Sequence, residues 1–67
     1  MTTGHHCYAS RIAGEKSCML QPVLVLLIDS ARIGEHTAWL CQTETKSFWV
    51  WEEDLARTWS QAKWHTL

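Results

Sequence analysis

The three cysteines and four histidines are the residues of this chain best suited to chemistry, provided that its spacing brings some of them together. His5, His6, Cys7, Cys18, His36 and Cys41 supply donors enough for a tetrahedral zinc site. Structural zinc sites draw their ligands from two close pairs, however, and only His5 to Cys7 forms a close group. Cys18 and Cys41 fall in segments that read as strands, where a buried thiol serves as a small hydrophobe. No metal site is therefore expected. A Cys–His dyad for nucleophilic catalysis needs its partners held together, and no spacing here does that. Gly14-Glu15-Lys16-Ser17 looks like part of a phosphate-binding loop. That loop needs Gly directly before Lys and another Gly five residues upstream; here Glu15 intervenes and Ala9 stands upstream, so the segment reads as a turn. The acidic run Glu52-Glu53-Asp54 could supply a general acid or base, but at a helix start it more simply complements the helix dipole. The expectation is a protein that is not an enzyme and carries no cofactor.

Tryptophan is the anomaly that remains, with five in 67 residues. In Ser47-Phe48-Trp49-Val50-Trp51 an extended chain puts Phe48 and Val50 on one face and Trp49 and Trp51 on the other. Each buried side chain of this size is worth about 1.5 to 3 kcal/mol. Both faces therefore call for cover, from the rest of the chain, from a second copy or from a foreign partner. A chain of this length buries only about 60% of its extended surface, which leaves the core thin.

The elements that position these residues follow from periodicity. Met1 to Gly4 is expected to be poorly ordered. A strand over Cys7 to Ile12, with Cys7, Ala9 and Arg11 alternating with Tyr8, Ser10 and Ile12, precedes a turn at Ala13 to Lys16, where Gly14 can take positive φ. Ser17 to Ile28 reads as the next strand, with Pro22 at an edge, bulge or corner. Its run Val23 to Ile28 is apolar at every position, as in a strand covered on both faces. Asp29 to Glu35 reads as a loop, His36 to Glu44 as a third strand, and Thr43 to Lys46 as a tight turn into the Trp49 strand. From Asp54 to His65 the pattern predicts a helix, with Asp54 as N-cap and Leu55, Trp59, Ala62 and Thr66 on one stripe. The fold class expected is β-rich α+β: four to five antiparallel strands, as a meander or small barrel, then one C-terminal helix, all in a single domain over 1–67.

The formal net charge is −1 and the six Lys and Arg are scattered, so the clustered cations that nucleic-acid binding draws on are missing. The odd cysteine number argues for reduced thiols and a cytoplasmic location. The Val23 to Ile28 run is far short of the ~20 residues that span a bilayer, so no membrane association is expected.

The apolar Val23 to Ile28 strand, the loop with Gly34, the Ala38-Trp39-Leu40 and Phe48-Trp49-Val50 hairpin and the Glu53-Asp54-Leu55 turn together resemble the SH3-like small barrels, over about half the chain. The resemblance implies a binding module for proteins or nucleic acids, in some cases oligomeric. One enzyme of that barrel type, the plasmid-borne dihydrofolate reductase built from four copies, has a late-strand Val-Gln-Ile-Tyr signature. Phe48-Trp49-Val50-Trp51 stands in its place here, and that activity is not carried over. The function expected is a non-enzymatic module that forms a homodimer or binds and inhibits a protein partner through a Trp-rich sheet face. Trp49 and Trp51 are its anchors, Trp39 lies beside them across the hairpin, and Trp64 is an outlying contact. The alternatives are a small barrel stacking nucleic-acid bases on exposed Trp and a small zinc-binding protein.

Overall fold

The computed structural model describes residues 1–63. They form one antiparallel sheet from β1 (His6–Ala9), β2 (Val23–Ile33), β3 (His36–Gln42), β4 (Ser47–Trp51) and β5 (Leu55–Ala56), in the spatial order β4-β3-β2-β1-β5. The first four strands are a meander. The β3–β4 turn is built by Thr43, whose hydroxyl accepts from the Lys46 amide at 3.3 Å while its own amide donates to the Lys46 carbonyl at 2.8 Å. The β2–β3 turn is only Gly34-Glu35, closed by the pair Ile33 and His36. Gly34 sits there at φ +63°, and a two-residue hairpin with positive φ at its first central position calls for glycine.

The sheet curls into a half-barrel, because the chain leaving β1 runs on along the opposite edge. Tyr8 pairs with Ala56 and Ala9 with Leu55. Then the Ser10 amide donates to the Asp54 carbonyl at 3.0 Å, and the Ala13 amide to the Trp49 carbonyl at 2.8 Å. One segment thus bridges both edges. Inside, Cys7, Ala9, Val25, Leu27, Trp39, Cys41, Val50 and Leu55 form the core, with Met19, Val23 and Phe48 packed against them. A bulge at Ile28 shifts the register between Leu27 and Asp29. Strict alternation would turn Asp29 inward behind Leu27. The extra residue sends it to the outer face, opposite Leu40.

Three sequence expectations are corrected. There is no α-helix among the described residues, so the class is all-β rather than α+β. The segment expected to be helical instead holds a 3₁₀ turn at Glu52–Asp54, β5, and a second 3₁₀ turn at Trp59–Gln61; positions 64 and 65 of that helix lie outside the described residues. Leu55 gains more by entering the core beside Ala9 than by starting an isolated helix, and Thr58-Trp59-Ser60 is weak in helix formers. Asp54 is not a cap: its side chain is 1% exposed and is held by Arg11 Nε at 3.2 Å and Lys63 Nζ at 3.4 Å. The second correction is that β2 begins at Val23, directly after Pro22, rather than at Ser17. The third is that β2 runs through Asp29 to Ile33, which had read as a loop.

Asp54 therefore acts on the fold through both its backbone and its carboxylate. Removing a buried partner leaves opposite charges unmatched, but Arg11 and Lys63 both reach water, which reduces the cost. Asp54→Ala is expected to lower stability by about 2 kcal/mol, and Lys63→Met by less than ~0.5 kcal/mol. Urea unfolding of both variants checks the difference.

Candidate functional site: the outer face of the sheet

Residues paired across antiparallel strands share a face, so the register gives the composition of the outer surface directly. Trp49 stands opposite Leu40, and Trp51 opposite Ala38. Leu40 is in turn opposite Asp29, and Ala38 opposite Ala31. Further along, Leu26 lies between His6 and Gln42, and Leu24 opposite Tyr8. An apolar band thus crosses the sheet from Trp49 through Leu40 and Leu26 to Leu24 and Tyr8. It is open to solvent at both ends, with Trp49 39% and Leu24 53% exposed.

The two Trp anchors expected from the sequence are thus on one outer face. Trp51 is half-buried, paired with Ala38, and its ring meets that of His36 in a T-shaped arrangement with centroids 6.0 Å apart. Trp39 is not with them. It pairs with Val50, on the inner face, and is only 6% exposed. Its indole N–H donates to Glu52 Oε1 at 3.0 Å, which satisfies the one polar atom that burial would strand. Trp39 is therefore a core residue, and Trp64 lies outside the described residues. Sequence reasoning missed Tyr8, Leu24 and Leu40 as members of the band. The alternation of Leu24 with Val25 held the signal, but the continuous run hid which partner faced out. Trp59 also belongs to the outside, 43% exposed with its ring edge-on to Tyr8 at 5.5 Å.

Beside the band an open groove of about 710 Å³ is lined by Leu24, Leu26, His6, Gln42 and the turn to Lys46. Lys46 is itself placed over the Phe48 ring, 5.6 Å from its centre.

The potential metal donors are dispersed. Among the described residues no group of three or more His, Cys, Asp or Glu is placed to hold a metal ion. Cys7 and Cys41 are buried free thiols inside the half-barrel. Burial pushes the Cys7 thiol up, with the amino-terminal charge and Arg57 pulling the other way. Burial, and then the neighbouring Cys7, push Cys41 up to about 11. Nucleophilic and metal-binding chemistry both need the thiolate, which this core disfavours.

No family model, curated protein or solved structure matches the chain.

The Cys41 shift fixes the sign of a pH effect. The folded state holds the Cys41 proton more tightly than the unfolded chain does, so its contribution to stability is complete below pH 9 and is lost as pH rises through about 11. The stability difference between wild type and Cys41→Ala should therefore shrink by roughly 2 kcal/mol across that window. Denaturant titrations at several alkaline pH values check this.

Proposed function

We propose that the chain is a small, non-enzymatic SH3-like interaction module that self-associates through the outer face of its sheet, with Trp49 and Trp51 as anchors. One observation carries the reading: the inner face is filled by the chain's own residues, while Trp49 remains 39% exposed beside Leu40. The fold does not need a tryptophan there. A contact does, since Trp contributes more at protein interfaces than almost any other residue. The strand order, with a 3₁₀ turn between β4 and β5, supports the SH3-like assignment. A second copy is the occupant favoured. With a net charge of −1, two copies repel little. A standard interface takes ~800 Å² per partner, roughly a sixth of the 4694 Å² surface. Acidic Glu52 and Glu53, which directly follow Trp51, disfavour a nucleic-acid phosphate at the same place.

Light scattering on a sizing column under reducing conditions should give a dimer for the wild type. The double variant Trp49→Ser, Trp51→Ser should be monomeric, with the blue-shifted emission of buried Trp39 retained. A monomeric wild type, or a double variant that simply unfolds, contradicts the reading.

A further inference from the structure

A second, smaller cavity lies at the free end of β1, away from the Trp49 end of the band. It measures about 250 Å³ and is lined by Met1, Thr2, His5, His6, Cys7 and Arg57. A turn builds its wall. The His5 amide donates to the Thr2 carbonyl at 3.2 Å, with Gly4 between them at φ +90°, a conformation that favours glycine. The Gly4 amide is tied in turn to the Leu27 carbonyl at 2.7 Å, so the turn is fixed to β2 and folds the chain start back over β1. Arg57 reaches the same space because the chain leaves the sheet directly after β5, at Ala56.

The chemistry of the lining is one-sided. Among the described residues none that carries a carboxylate lines the cavity, whereas Arg57, His5, His6 and Thr2 do. Among the described residues, the side chains of His5, His6 and Arg57 form no ion pair with any acidic group. A protein of net charge −1 thus lines one hollow with an Arg and two His, without a counter-charge among the described residues. Arginine matches oxyanions through its planar fork of N–H donors, and imidazole and hydroxyl donors add further directions, as a tetrahedral oxyanion requires. The volume lies below the ~300 Å³ at which pockets for whole organic ligands begin, so the fit is to a headgroup.

From this we infer that the His5, His6 and Arg57 pocket binds a phosphate group, as free phosphate or as a small phosphomonoester. The site shares His6 with the groove beside the apolar band but includes neither Trp49 nor Trp51, and it does not depend on the proposed Trp contact.

The test follows the imidazole proton signals of His5 and His6 by NMR while inorganic phosphate, methyl phosphate or chloride is added at constant ionic strength. Phosphate should move both signals along a saturable curve, and chloride should not. Methyl phosphate saturating at lower concentration than phosphate identifies an ester as the ligand; the reverse order identifies the free ion. Arg57→Gln should weaken phosphate binding at least tenfold. Arg57 is exposed and follows the last strand, so the fold should be unchanged, as the buried Trp39 indole signal would report. His5→Asn should weaken binding as well, which provides a second variant. Non-saturating shifts, equal shifts with chloride, or equal affinity in wild type and Arg57→Gln would overturn the inference.

Discussion

Asp54 holds the half-barrel shut. Its carbonyl accepts from both the amide and the hydroxyl of Ser10, each at 3.0 Å, and its buried carboxylate engages Arg11 and Lys63. These contacts draw the segment after β1 against the 3₁₀ turn that leads into β5. Ala13 then reaches the Trp49 carbonyl. Without that return, β4 would be an open edge with unpaired backbone groups, the usual starting point for unwanted strand addition. The inner side chains would also lose one wall. A chain of 67 residues has little surplus stability to cover such a loss.

Closure also sorts the apolar residues into two sets. Val25, Leu27, Cys41 and Val50 face inward and are essentially inaccessible. Leu24, Leu26, Leu40 and Trp49 face outward, because the strand period leaves them no other choice once the first set is fixed. The bulge at Ile28 keeps this sorting consistent along a strand of 11 residues, turning Asp29 to solvent just where the sequence becomes polar. The outer apolar band therefore follows from the same register that fills the core. Its exposed tryptophan does not, since a small polar residue opposite Leu40 would satisfy the pairing equally well. That surplus is what supports the proposed contact surface.

The sequence made the β3–β4 hairpin legible, because aromatic and β-branched alternation and a Thr-rich turn agree there. Ser47–Trp51 is an expected strand observed with its expected faces. The stripe of Leu55, Trp59 and Ala62 misled, since spacings of three and four also arise when a two-residue strand is followed by a 3₁₀ turn. Only the long-range pairing of Leu55 with Ala9 decides between them, and periodicity carries no information about that partner. Asp29-Ser30 resembled a loop for a similar reason: local polarity does not reveal a bulge. Trp39 and Trp49 are the same residue type in adjacent strands, and their opposite fates depend on register and on the Glu52 carboxylate that receives the Trp39 indole. The pocket at His5, His6 and Arg57 joins residues about fifty positions apart through the β1–β5 pairing, so no local motif announced it.

The claim on which the other conclusions rest is that the chain closes its own inner face by pairing the segment after β1 with the β4 to β5 stretch. Amide hydrogen exchange of Ser10 and Ala13, resolved residue by residue, tests it most directly. Both lie outside regular strands, where an open loop would exchange within seconds to minutes. Protection close to that of the core amides of β3 is the result expected. Exchange of Ser10 and Ala13 at the rate of the exposed 14–17 turn would show that the sheet is open, and the division into a filled inner face and a free outer one would fall with it.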